Sequence, residues 1–318
     1  MFDSKMFSVL FAAALCIFGY YIVYFFYDMI CRKHWKVGSR VVIVGASTGI
    51  GKEIAKIYAK KGASLMLFSR KKNELENVAR ECLQCSANFE GKREKPRICV
   101  GDITNKEDCI RLAKVVENEF GGTDILVLNA GISMDLTFDE INSLEDIDNV
   151  YGELMKVNYF GTVHMTKVFS EQLEKSHGQV VCVSTGSGVL GTPRRTGYVA
   201  SKHALHGFFN SLRNEWKEKN ITVTIACPGF VATNIRSAAV KGGRAKAAID
   251  PERRMMSPER CAELIVQAAE QKRKVFHLTN SSFLGSLIYP IPLVSSAVDY
   301  ILRRKMRKEM PKFTKEKD

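Results

Sequence analysis

Seven short apolar runs rich in β-branched residues recur along this chain, near 40–45, 63–69, 97–101, 124–128, 179–184, 221–227 and 274–278. Segments with helical period separate most of them, clearest at Lys71–Ser86, Lys106–Phe120, Tyr151–Lys175, Tyr198–Lys219 and Pro258–Gln271. Continuous apolar runs suit strands covered on both faces. Their alternation with helices predicts an α/β fold, a doubly wound parallel sheet in a single domain spanning residues 38–280. Residues 88–96 are charged and Gly/Pro-bearing, and read as a surface loop.

One stretch breaks the pattern. After a short segment at residues 1–5, no charged side chain occurs from Met6 to Tyr27. A run of that length crosses the hydrocarbon of a bilayer as a helix, so residues 6–30 are expected to form a transmembrane signal-anchor. Tyr20, Tyr21, Tyr24, Tyr27 and Trp35 suit an interfacial belt. Arg32, Lys33, Lys36 and Arg40 follow the run, whereas Lys5 and Asp3 cancel before it. That asymmetry predicts a single-pass protein, with the endoplasmic reticulum as the expected membrane and the folded domain on the cytosolic side. Sequons at Asn220 and Asn280 keep a lumenal or secretory placement as the alternative. Residues 281–318 are apolar and then basic, with Pro290, Pro292 and Asp299 interrupting the apolar part, a pattern suited to lying against a leaflet or ending as a solvated tail.

The formal net charge of +13 fits a bilayer partner. No zinc-finger, RRM or helix-turn-helix signature accompanies it, so no nucleic-acid partner is expected. Nine scattered cysteines form no metal-ligand set, and Cys82 and Cys85 read as a coincidence on a helix surface. No metal is expected.

The chemistry gathers at the strand ends. The run Arg40–Val44 leads directly into Gly45-Ala46-Ser47-Thr48-Gly49-Ile50-Gly51 and then an amphipathic helix. Strand, glycine turn and helix in that order let backbone N–H groups and a helix N-terminus approach a pyrophosphate. Further along, Tyr198 and Lys202 lie four apart on a predicted helix, one turn apart on the same side. An ammonium beside a phenol favours the phenolate, which suits proton transfer to a carbonyl or from an alcohol.

With these elements in order, the chain resembles a short-chain dehydrogenase/reductase over roughly residues 38–280, with a Rossmann-type sheet. Its anchored N-terminus and Ser201-Lys202-His203-Ala204 are similar to the dehydrogenase/reductase member seven subgroup. The resemblance implies that Gly45, Ser47, Thr48, Gly49, Ile50 and Gly51 hold the cofactor phosphates and that Asp102, in Gly101-Asp102-Ile103-Thr104, meets the adenine region. It implies that Asn129-Ala130-Gly131 forms the N-A-G element and that Asn158 positions a water leading from Lys202 to solvent. Pro228, Gly229, Val231 and Thr233 would border the nicotinamide, Lys202 would bind its ribose, and residues 230–257 would form a lid. The family serine thirteen residues before the tyrosine is here Thr185, which keeps a hydroxyl and adds a methyl. Ser184 and then Ser187 stand as alternatives for that role.

Charge bears on the cofactor. Ser69-Arg70-Lys71-Lys72 ends the second strand where an NAD site carries an acid, so Arg70 suits a 2′-phosphate and NADP(H) is expected ahead of NAD(H). The expected activity is interconversion of a small lipophilic carbonyl and its alcohol at a membrane. A catalytically idle NADP(H)-binding adaptor is the competing reading, and an epimerase-like relative a weaker one. The helix at 202–216 is apolar enough either for a homodimer interface or for burial in the monomer.

Overall fold

The computed structural model describes residue 19 and residues 36–87, 89, 91, 94–235 and 255–279. The expected membrane run (apart from Gly19), most of the expected lid and the segment 281–318 therefore lie outside the described residues. Among the described residues no helix is long and apolar enough to cross a membrane.

Seven strands form one parallel sheet: β1 (Arg40–Val44), β2 (Ser64–Ser69), β3 (Arg97–Val100), β4 (Ile125–Leu128), β5 (Gln179–Val183), β6 (Thr222–Cys227) and β7 (Val275–His277). Their order is β3-β2-β1-β4-β5-β6-β7. The chain therefore winds outward one way from β1 and the other way from β4, and the crevice above their adjoining ends is where such sheets bind ligands. Register fixes that geometry, with Val44 paired to both Phe68 and Leu128, and Val183 to Ala226.

The helices are α1 (Gly49–Lys60), α2 (Lys72–Cys85), α3 (Lys106–Phe120), α4 (Leu144–Leu154), α5 (Thr162–Val168), α6 (Ser170–Ser176), α7 (Thr196–Glu215) and α8 (Pro258–Glu270). Successive strand residues feed opposite layers, as the period of two requires. Val42, Val44, Leu126, Leu128 and Val180 pack with Leu112, Phe169 and Phe209 on one face. Val41, Ile43, Val127 and Val181 pack with Ile54, Leu75 and Ile265 on the other. Each fully buried large side chain contributes about 1.5–3 kcal/mol.

Two expectations change, and one open alternative gains an observation. The apolar period from Tyr151 to Lys175 suggests one helix, but a wide π-type turn at Met155–Gly161 interrupts it, and α5 and α6 separate at Phe169. The extra residue in that turn shifts the faces, so a single period cannot describe the whole segment. Of the two readings open for the helix at 202–216, Leu205, Phe209 and Leu212 of α7, with Trp216 just after it, are buried in the chain's own core. Cys82 is no surface residue: it is fully buried under α2, and desolvation pushes its thiol up to about 12.

Candidate active site

The turns after β1 and β4 lie against each other. Gly45 and Ala46 donate their N–H groups to Phe68 O at 2.8 and 3.2 Å, and Asn129 Nδ2 donates to Gly45 O at 2.8 Å. A side chain at Gly51 would put its Cβ 2.2 Å from Gly45 O and 2.6 Å from Asn129 Nδ2. Gly45 has φ +85°, and its Cβ would lie 2.6 Å from the amide nitrogen of Ala130. Here only hydrogen fits.

The resulting cradle ends on the N-terminus of α1. Thr48 precedes it in extended conformation without a side-chain cap, and the first turn carries no acidic residue. Open N–H groups and the positive helix end suit a pyrophosphate. Ser47, Thr48, Gly49 and Ile50 all reach solvent there. From the far side, Thr233 comes within 3.1 Å of where a Gly49 Cβ would stand. That loop is held by a bridge between Val231 and Met256, with Ala232 N donating to Met256 O at 3.0 Å. Gly229 allows the chain to pass Thr279, whose methyl would be 2.7 Å from an added Cβ. The residues present thus fit a dinucleotide phosphate bridge.

At the end of β2, Arg70 Nη1 stands 3.6 Å from Asp102 Oδ2, and two-thirds of the Arg70 side chain is exposed. Asp102 Oδ1 also accepts from Thr104 N at 2.8 Å. Lys71 and Lys72 turn to Glu74 and Glu76 of α2, while Arg70 reaches across to Asp102 beyond the end of β3.

The first turns of α7 carry Tyr198 and Lys202, both buried. Lys202 Nζ lies 6.0 Å from the Tyr198 ring centre and donates to Val183 O at 3.2 Å. The Tyr198 ring rests in an apolar cluster with Met134, Leu136, Val150 and Leu154. Among the described residues its hydroxyl has no hydrogen-bond partner. Asn158, fully buried in the π-type turn, accepts from Ile132 N at 2.8 Å and donates to Ile132 O and Ser201 Oγ at 3.1 and 3.0 Å. Its side chain staples the N-A-G loop to α7. Gly131 sits between, where a Cβ would be 3.2 Å from Asn158 Oδ1 and 3.6 Å from Lys202 Nζ.

Thr185, two residues beyond the end of β5, caps the short turn Gly186–Gly188. Its hydroxyl accepts from Ser187 N at 3.3 Å and donates to Pro228 O at 3.4 Å. Both contacts are long, so the hydroxyl is available to a substrate oxygen. Ser184 is committed elsewhere: its Oγ meets His206 Nε2 at 2.9 Å inside the protein. Ser187 Oγ accepts from Thr192 at 3.3 Å. Of the three hydroxyls, Thr185 therefore fits the substrate-facing role and Ser184 a supporting one.

His206 escaped the sequence reading because a histidine on an amphipathic helix has no distinguishing pattern. Its spacing of four from Lys202 and eight from Tyr198 was the available signal, since it places all three on one stripe of α7. Its ring joins the ends of β5 and β6, with Cys227 Sγ at 3.8 Å and no room for a Cβ at Gly188.

Burial, aided by His203, His277, Lys202 and Arg213, pulls the His206 imidazole down to about 4. In the unfolded chain it titrates near 6.5. Between those values the unfolded state holds more protons, so stability falls as pH drops through that window and this contribution levels off below it. A gap of about 2.5 units corresponds to roughly 3 kcal/mol. Denaturant unfolding at pH 7 and 4.5 is expected to show most of that loss, and His206→Asn to remove that part of the slope. An identical slope in the variant would assign the loss to other groups.

The short chain dehydrogenase family profile matches residues 39–242. Dehydrogenase/reductase SDR family member 7 of Homo sapiens is 35% identical over 263 residues, covering 80% of this chain and 74% of that protein. Member 7B of Mus musculus is 33% identical over 273 residues, covering 85% and 81%. The 11-beta-hydroxysteroid dehydrogenase-like 2 protein of Arabidopsis thaliana is 35% identical over 211 residues, 65% of each. An alcohol dehydrogenase from Thermococcus sibiricus, solved with 5-hydroxy-NADP, superposes with a TM-score of 0.62 at 26% identity, covering 76% of this chain and 94% of its own.

Proposed function

The chain belongs to the short-chain dehydrogenase/reductase family, in a member-seven-like subgroup, and is an NAD(P)-dependent oxidoreductase acting on CH–OH and C=O groups; from this we propose that it is a membrane-anchored, NADP(H)-preferring reductase or dehydrogenase of lipophilic carbonyls and alcohols. The observation that carries this reading is the convergence of Tyr198, Lys202 and Thr185 with the Gly45–Gly51 cradle on one end of the sheet.

A bound NADP(H) supplies or accepts the hydride. Thr185 holds the substrate oxygen by its hydroxyl. Tyr198 gives that oxygen a proton in reduction and takes one in oxidation. Lys202, whose ammonium lies 6.0 Å from the centre of the phenol ring, would hold the nicotinamide ribose. Asn158 keeps the N-A-G loop and α7 in register, so the tyrosine and the cofactor share one geometry. Thr185→Val retains shape without the hydroxyl and is expected to lower kcat about 100-fold, as for loss of one oxyanion donor. Thr185→Ser is expected to stay within a few-fold of the parent. Equal turnover in all three proteins would remove Thr185 from the mechanism.

Support for NADP(H) comes from Arg70 at the ribose end, without an acid on β2 there. A charge-assisted contact to a 2′-phosphate lowers KM for NADPH alone. Arg70→Glu is expected to raise that KM tenfold or more and to leave the KM for NADH within a few-fold. A panel of lipophilic ketones and alcohols, each read with both cofactors, provides the assay and tests substrate class. A uniform shift for both cofactors would contradict the preference.

The membrane reading rests on the uncharged stretch from Met6 to Tyr27, and the cations after it favour a cytosolic domain. The apolar cluster around Tyr198, and the apolar residues Val231 and Met256 beside the crevice, favour a lipophilic substrate.

A further inference from the structure

A parallel sheet sends the N-terminal end of every strand to the face opposite the crevice. On that face, the turns before β6 and β7 border a cleft of about 490 Å³ lined by His177, Arg213, Lys217, Lys272 and Lys274. Its wall is bound in place. Arg213 Nη2 donates to Lys274 O at 2.9 Å, and Nε to Val223 O at 3.3 Å. Three of its turns are pinned by non-glycine residues in left-handed conformation: His177 at φ 48°, Asn220 at φ 57° and Lys272 at φ 50°. Lys217 and Lys274 are exposed and, among the described residues, have no carboxylate partner. The nearby Glu174 is taken by Lys219. The cleft is thus a fixed cationic concavity, separated by the sheet from the dinucleotide cradle.

The chain enters the fold on this same face, through Lys36 to Ser39 just before β1. β6 lies three strands from β1, about 14 Å at the usual strand spacing. Residues 28–35 join the entry point to the uncharged run and span at most about 28 Å when extended. A leaflet holding that run therefore lies within reach of the cleft. We infer that the cleft docks the phosphate of an anionic phospholipid headgroup in the leaflet from which the domain emerges. The inference rests on the membrane-anchored reading above. Cations near an anionic leaflet are attracted by it, and a concave group of them adds a preferred orientation to that attraction. The domain then stands with its N-terminal strand ends toward the bilayer and its crevice away from it.

Full-length protein reconstituted into phosphatidylcholine vesicles, with or without about 30% phosphatidylserine, tests this by amine-labelling rates read at single lysines. Lys217 and Lys274 are expected to label roughly five-fold more slowly in the anionic vesicles, while Lys72, at the crevice end, is unchanged. Lys217→Glu is expected to restore fast labelling of Lys274 and to leave ketone reduction unaltered. Equal rates in the two vesicles overturn the inference, as does protection of Lys72 instead. Protection in neutral vesicles on adding inorganic phosphate, without any effect of phosphatidylserine, assigns the cleft to a free anion and overturns the lipid. Release of the protein by alkaline wash overturns the anchored reading and this inference with it; retention without lipid-dependent labelling overturns the inference alone.

Discussion

Tyr198→Phe is expected to lower kcat for ketone reduction by 10²–10⁴-fold, the range for loss of a positioned general acid. The ring remains to fill the cluster with Met134, Leu136 and Leu154, so the fold has no reason to change. The hydroxyl has no hydrogen-bond partner among the described residues, so its removal orphans nothing there. NADPH affinity and the melting temperature should match the parent. Lys202→Met differs: it removes the donor to Val183 O and, on the proposed reading, the group that would hold the cofactor ribose, so it should weaken cofactor binding as well as turnover. This contrast separates a proton donor from a residue with two tasks. Unchanged turnover of Tyr198→Phe on every ketone reduced by the parent would remove the tyrosine from the chemistry.

Gly51→Ala is expected to weaken NADPH binding by more than 100-fold, and to cost about 1–3 kcal/mol of stability through overpacking. The added methyl would meet Gly45 O, a backbone atom, at 2.2 Å, and the Asn129 amide that bonds it. Neither neighbour can withdraw without opening the contact between the β1 and β4 turns, where the phosphates would lie. Gly152→Ala is the control. That glycine is exposed within α4 and nothing lies within 4 Å of its added Cβ, so replacement should be neutral or raise stability by about 0.5–1 kcal/mol. Cofactor fluorescence titration and denaturant unfolding of both variants give the comparison. Tight NADPH binding by Gly51→Ala would show that the cradle is not the phosphate site.

Local chemistry explains which parts were readable in advance. The strands stand out because both faces of the sheet are covered, which makes their residues continuously apolar. Gly45 and Gly51 stand out because close backbone approach admits no other residue. The helix α4 was harder: Leu144 is 81% exposed, so the apolar period is weak, and the usable signal was Ser143 capping Asp146 N. The π-type turn at Met155–Gly161 had no side-chain signature, although it buries Asn158 against Ile132 and Ser201. Ser184 and Thr185 are adjacent hydroxyls whose separate commitments depend on His206, twenty-two positions after Ser184. The cationic cleft is a product of topology, since it joins turns before β5, β6 and β7 to the end of α7. The anchor and the lid were read from composition and resemblance alone, and nearly all of the first and most of the second lie outside the described residues.

The most direct test follows a label rather than a rate. NADPH carrying deuterium at the transferable C4 position is incubated with the parent enzyme and each lipophilic ketone of the panel, and the alcohols are analysed by mass spectrometry. A Tyr198–Lys202 pair facing a nicotinamide predicts alcohol with one deuterium on the carbinol carbon, and its loss with Tyr198→Phe. NADPH bound by the parent protein with no deuterium appearing in any alcohol would contradict the account.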